Sequence, residues 1–375
     1  MQPSPTAPTR PPRDLRLDII RGWMQISIFV SHVVGTIFAW GIHAAWGLSD
    51  SSEQFVFLSG LSLGSVFALK AARDGVAAAR ADLGRRIWRL YGTHLMVLTL
   101  FATLVVTTEM VAPLPGEVAR QHWDFLLTAP WLAVPAAAAM LYQPDFMGIL
   151  PVFVWCMLLL PGFLWLVGRL GMLALLPFLA LYAVVQLGLA GTPAFFPNGI
   201  AFDPLAWQLL FLLGAFIGQR VLLTGRGVPR RAWAMAAAAA VVLFGLWARL
   251  VEHGLMAGPE DLARVVLTHK ETLALPRLLH ALALAYLVAM LVPREAGWMR
   301  GRVPQALAMV GRHSLQVFCA GLFLAWGVTI AFRLWPERIP WLDPLLITAG
   351  VLALVALARL RDRRRLRMRP VRAAG

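Results

Sequence analysis

Leu17-Asp18-Ile19-Ile20-Arg21-Gly22-Trp23-Met24-Gln25-Ile26-Ser27-Ile28-Phe29-Val30-Ser31-His32 opens the first long apolar stretch of the chain. An α-helix turns roughly 100° and rises about 1.5 Å per residue. On such a helix Asp18, Arg21, Gln25 and His32 form one polar stripe. Arg21 and His32 then point within roughly 20° of each other, about 16 Å apart along the axis. Charges at bilayer depth are costly and mark sites or pathways. The stripe therefore points to work across a bilayer on something polar.

Composition agrees with that environment. Of 375 residues 59% are hydrophobic and only 14% charged. Roughly a quarter would be charged in a soluble domain. The mean hydropathy is +0.70. Net charge is +15, but the basic residues sit in loops between apolar runs, which excludes the single basic face of a nucleic-acid binder. Cys156 and Cys319 both lie inside apolar stretches. Two such cysteines build neither a metal site nor a disulfide framework.

Ten stretches long enough to span are readable, over roughly 19–41, 52–70, 91–111, 146–168, 171–190, 204–222, 232–250, 276–293, 313–333 and 342–359. The expected fold is all-α, a polytopic bundle of ten transmembrane helices. With the N-terminus inside, only Arg120, Arg249, Arg264, Lys270, Arg277, Arg333 and Arg338 fall outside, of 34 Lys and Arg. This asymmetry predicts that both termini are cytoplasmic. The expected organisation is a disordered cytoplasmic N-tail at 1–16, a membrane domain at 17–360 and a basic cytoplasmic tail at 361–375. The first apolar run reads as an uncleaved signal anchor. Gly60 and Gly64 have the four-residue spacing that lets membrane helices approach closely, and are expected to set helix two against helix one.

Sorted by depth, the polar residues form two groups. Asp18, Arg21, Arg85, Arg86, Arg89, His94, Arg312 and His313 lie toward the cytoplasm. Guanidinium forks suit a phosphate-bearing donor, although positive-inside bias alone also explains each arginine. His32, His43, Asp50, Glu53, Lys270, Glu271, Arg277 and His280 lie toward the outside. These groups suit acid–base work on a hydroxyl. Glu53, beside Asp50 in Ser51-Ser52-Glu53, also reads as a helix N-terminal acid. Lys270 and Arg277 run against the topology bias, and Arg277 and His280 share a helix face. No metal motif is present.

Several motifs taken together resemble the OpgC family, a branch of the membrane acyltransferase 3 group. They are Asp14-Leu15-Arg16-Leu17-Asp18-Ile19-Ile20-Arg21-Gly22 with His32, Gly47-Leu48-Ser49-Asp50 through Glu53-Gln54-Phe55-Val56-Phe57-Leu58-Ser59-Gly60, and Arg89-Leu90-Tyr91 with His94. Ile149-Leu150-Pro151, Pro204-Leu205-Ala206-Trp207-Gln208-Leu209-Leu210-Phe211, Arg277-Leu278-Leu279-His280 and Gly311-Arg312-His313-Ser314-Leu315 with Val317-Phe318 follow in the same order. The chain departs from the family pattern at Ser31 and Gly148, where acids are expected, and at Asp203, where Asn is expected.

The resemblance implies a multi-pass protein of the bacterial inner membrane. It would transfer an acyl group, typically succinyl, from acyl-CoA to a hydroxyl of a periplasmic glucan. His32 would be the base, with Glu53 or Asp50 orienting it. Arg21, Arg85, Arg86, Arg89, Arg312 and His313 would hold the donor. Lys270, Arg277, His280 and Asp18 would meet the substrate. The implied partners are the glucan acceptor, membrane lipids and glucan-synthesis machinery. A glycan or lipid transporter and a non-catalytic scaffold are the competing readings of the same stripe.

Overall fold

The computed structural model describes residues 14–112, 114–193, 200–267 and 269–367. Most of the expected N-tail and the end of the basic tail, 368–375, lie outside the described residues. Among those described, the structure is all-helical with no strand. The principal helices are α1 (Leu15–Ser31), α2 (Ser51–Asp74), α3 (Val76–Val111), α4 (Ile149–Leu170), α5 (Leu176–Gln186), α6 (Pro204–Thr224), α7 (Ala232–Glu252), α8 (Leu275–Leu291), α9 (Arg302–Arg312), α10 (Ser314–Leu334) and α11 (Ile339–Arg367).

Among the described residues, seven helical segments are long and apolar enough to cross a membrane: α2, α3, α6, α7, α10, the run Ile149–Gln186 and the run Pro336–Arg365. Ten spans were expected, and the difference lies in three places. α1 and α8 each have 17 residues. The run Ile149–Gln186 contains the third: its backbone breaks at Gly171, with φ 59° and ψ −130°. The rings of Phe163 and Phe178 lie 5.3 Å apart across that break. An unbroken helix would hold residues fifteen apart at about 22 Å, so the chain reverses direction at Gly171.

The described chain forms two compact units. One spans Glu53–Leu287, and the other joins 14–52 to 288–367. The first unit is organised around a crossing of α2 and α6. A Cβ on Gly60 would strike the Phe211 carbonyl, and one on Gly64 the Ala215 carbonyl. Gly214 and Gly218 face the Phe57 and Leu61 carbonyls in return. Ser65 Oγ donates to Gly218 O across the seam at 2.8 Å. The glycine pair of helix two thus marks a close approach as expected, but its partner is α6, where helix one was expected. The glycines of α6 supply the complementary notch.

α3 begins earlier than the expected span because Val76–Arg89 is helical too. Lys70 at the end of α2 and Arg86 on α3 both pair with Asp82, at 3.4 and 2.9 Å.

In the second unit α1 lies along α9. Gly22 faces the Leu307 carbonyl and Gly311 faces the Asp18 carbonyl, again too close for any Cβ. Phe29, almost fully buried, fills a notch at Gly350 of α11. Asp14 caps α1 by accepting from Arg16 N at 3.1 Å. α1 stops at Ser31, ten residues before the expected end of the span. Gly35 turns with φ +88°. Asp343 of α11 then accepts from Thr36 Oγ1 at 2.6 Å and from Ile37 N at 2.8 Å, holding the chain out of the helix.

Candidate functional site

Where α2 and α8 begin, the first unit holds a buried pair of opposite charges. Glu53, fully buried, stands in the first turn of α2, and Arg277, 4% exposed, in the first turn of α8. Arg277 Nη2 and Nε lie 2.6 and 2.8 Å from Glu53 Oε1. Next to them Gln54 Nε2 donates to Ala281 O at 3.2 Å, and His280 is buried one helical turn after Arg277. Two charges are removed from water together, which folding tolerates only when they are paired and hydrogen-bonded.

The approach to Arg277 is a strap of irregular chain. Trp207 Nε1 donates to Lys270 O and Glu271 O, at 3.2 and 3.0 Å. Asp203 N also donates to Glu271 O, Gln186 Nε2 donates to Thr272 O, and Tyr182 OH donates to Leu273 O. Every carbonyl from Lys270 to Leu273 therefore accepts a bond from α5 or from the start of α6. His269 and Leu273 sit at φ 60° and 52°, a region unfavourable to residues carrying a Cβ. The clamps hold that conformation and fix where α8 starts, hence where Arg277 points. Lys270 Nζ lies 5.4 Å from the Phe202 ring. Asp203, where Asn was expected, caps α6 through Leu205 N and accepts from Thr192 Oγ1 at 2.6 Å.

Gly148 has a local reason. A Cβ there would lie 2.7 Å from Ala201 Cβ and 2.9 Å from the Phe202 ring. The expected acid does not fit this packing.

The second unit holds the other group. His32 ends α1 and is partly exposed. Its Nδ1 lies 2.7 Å from Ile28 O. A carbonyl oxygen can only accept, so Nδ1 carries the proton and a neutral imidazole keeps its basic lone pair on Nε2. Asp50 accepts from Ser52 N at 2.7 Å, capping α2. Burial lowers the pKa of His43, partly opposed by the charge of Asp50. On the stripe, Asp18 and Gln25 are buried and Arg21 is partly so. The Gln25 amide makes no protein hydrogen bond.

The donor-binding candidates are engaged locally. Arg85 and Arg86 pair with Asp82, and Arg89 is exposed on α3. Arg312 Nη2 and His313 Nε2 each lie 3.3 Å from the Asp362 carboxylate. A phosphate arriving at either cluster would compete with an aspartate. Neither ring nitrogen of His94, fully buried on α3, has a protein partner. Among the described residues no His, Cys, Asp and Glu cluster could hold a metal.

Trp207, Tyr182, Gln186 and Asp343 escaped the sequence reading. Asp343 could have been suspected as an acid inside an apolar run just before Pro344. Trp207 lies within the family-like Pro204–Phe211 motif, but nothing local announces a carbonyl clamp.

The model of the OpgC protein family matches residues 13–366, nearly the whole chain. This chain belongs to the OpgC family. The family indicates a transferase role in the modification of osmoregulated periplasmic glucans. The apolar helices are consistent with a membrane protein of that family. No curated protein and no solved structure matches the chain.

Proposed function

We propose that this OpgC-family chain is a multi-pass O-acyltransferase of the bacterial inner membrane, with ten spans and both termini in the cytoplasm. It moves a succinyl group from succinyl-CoA, a cytoplasmic co-substrate, to a hydroxyl of a periplasmic glucan. The observation that carries this reading is the Glu53–Arg277 pair, a permanently charged guanidinium fixed in a buried position. Such a cation suits the carboxylate of a succinyl group or the oxyanion of acyl transfer.

In the proposed reaction the glucan oxygen attacks the thioester carbonyl carbon while His32 Nε2 takes the hydroxyl proton. The new C–O bond forms, the tetrahedral oxyanion collapses, and the C–S bond breaks. His32 returns the proton to the thiolate, which leaves as coenzyme A. A covalent acyl-His relay would use the same nitrogen as nucleophile. Arg277 stabilises the oxyanion or holds the succinyl carboxylate, with Lys270 and His280 contributing from the same segment. Asp50 favours the protonated form of a nearby imidazole. Arg21, Arg85, Arg86, Arg89, Arg312 and His313 hold donor phosphates, Asp18 stands on the substrate path, and lipids and glucan-synthesis proteins are the membrane partners.

The test is free-thiol release from succinyl-CoA by purified protein in nanodiscs, with and without glucan, followed by mass analysis of the glucan. Glucan-dependent thiol release with a succinate-sized mass gain supports the proposal. Movement of a glycan or lipid across vesicles without thiol release would replace it with the transporter reading, which the buried Asp18 and Gln25 of α1 favour.

A further inference from the structure

Between α3 and α4 the chain makes three short helices, Glu117–Arg120, Asp124–Thr128 and Pro130–Ala138. His122 and Asp145 are brought together across this segment, with Nδ1 2.8 Å from Oδ1. Both side chains keep access to solvent, 42% and 46% exposed. The backbone is bent to arrange this. His122, Met140 and Phe146 have φ of 58°, 62° and 71°, three of the five positive-φ residues other than glycine among those described. Left-handed backbone is costly for residues with a Cβ and collects at functional sites.

The bend is held from below. Tyr142 OH donates to His122 O at 2.7 Å, and Asp145 N donates to Gln121 O at 3.2 Å. Burial pushes the Tyr142 phenol up to about 12, so it stays a donor. Trp123 lies fully buried beneath, 6.2 Å from the Phe101 ring and 6.4 Å from the Tyr142 ring. A carboxylate-held imidazole thus stands at the surface of a rigid aromatic floor. Gln121 Oε1 and Gln143 Oε1 are buried acceptors with no protein partner in the same segment. Gln143 Oε1 also reaches the packing around Gly148 and Phe202, within 3.1 Å of where a Gly148 Cβ would stand. Phe202 in turn carries Lys270. The segment therefore connects directly to the strap that leads to Arg277.

We infer that the His122–Asp145 dyad is a binding site for the hydroxyls of a neutral saccharide, which seats the glucan acceptor apart from the acyl-transfer groups. The chemistry fits a sugar. Imidazole and carboxylate offer a donor and acceptors in fixed directions, as vicinal hydroxyls require. The dyad carries no excess positive charge that would favour an anionic ligand. The identity of the ligand rests on the proposed function, whereas the existence of the site rests on the geometry.

The test uses the full chain in nanodiscs with an unsubstituted glucose oligosaccharide and no donor, read by saturation-transfer NMR. His122→Asn keeps a residue that tolerates left-handed backbone, and Asp145→Asn keeps the shape without the charge. Each variant is expected to weaken saccharide binding about ten- to a hundredfold, the range for a hydrogen bond to a charged group. Thermal stability and glucan-independent thioester hydrolysis should not move, and in transfer assays KM for glucan should rise with kcat retained. Wild-type binding and KM in both variants would overturn the inference while leaving the transferase reading intact. Variant-sensitive saccharide binding in a protein that transfers no acyl group would do the reverse.

Discussion

Glu53 and Arg277 each give up hydration that only the other restores. Removing one partner of a buried pair typically costs about 3–5 kcal/mol, whereas replacing both by neutral side chains of similar volume is often close to neutral. Arg277→Met alone should therefore unfold the protein early in a detergent melt. The double change Glu53→Gln with Arg277→Met should recover most of that loss and still transfer no acyl group. If the double variant kept wild-type turnover, the pair would be structural alone. His32 offers the opposite case: it is partly exposed, so His32→Ala should leave folding intact. Its turnover should fall about 100- to 10,000-fold, the usual worth of a positioned acid–base group. An unchanged rate would remove His32 from the mechanism. His43 predicts a pH effect. Burial lowers its pKa from 6.5 in the folded state, so the unfolded chain binds more protons in the window below 6.5. Stability is complete above that pH and falls as the pH drops through it. His43→Gln should flatten the acid limb of a melting-temperature curve below pH 6.5.

Among elements, the crossing of α2 and α6 shows what spacing in a sequence can and cannot convey. Gly60 and Gly64 announce that some backbone comes close, because only their missing side chains permit it. Which backbone comes close depends on a matching pair elsewhere, and Gly214 and Gly218 on α6 supply it. Gly60→Val or Gly218→Val would drive carbon into a carbonyl, and each should cost more than the ~1–3 kcal/mol typical of an overpacked core. Gly92→Val on α3 meets nothing within 4 Å and should be tolerated. Comparing melts of the three variants checks the crossing directly. The helical character of α1 was legible because its apolar residues and stripe share one period. Its early end was not, since Asp343, which takes up Thr36 and Ile37, lies about three hundred positions away. The strap was half legible. Lys270 and Arg277 stood out as cations against the topology trend, whereas the Trp207, Tyr182 and Gln186 donors appear only once α5 and α6 are placed.

Across the whole molecule, a charged fraction of only 14% together with apolar stretches of spanning length was enough to assign an all-helical membrane fold. The count was harder. Length and apolarity identify seven crossing segments, and the proposed ten depend on α1, α8 and the reversal at Gly171. Single cysteines replacing Gly227 and Ala257, both exposed, test the orientation with an impermeant maleimide on intact cells. Labelling at 257 and protection at 227 are expected, and the opposite pattern would invert the topology. Cys156, fully buried, adds no background, and Cys319→Ala removes the other native thiol. Irregular backbone cannot normally enter an oily layer, because exposed amide oxygens lose water without replacement. From Lys270 to Leu273 each such oxygen is already supplied by the protein's own donors. Those oxygens need no water, so the stretch can lie against the headgroup boundary while the exposed Glu271 side chain stays in water, and the 17 residues of α8 begin from there.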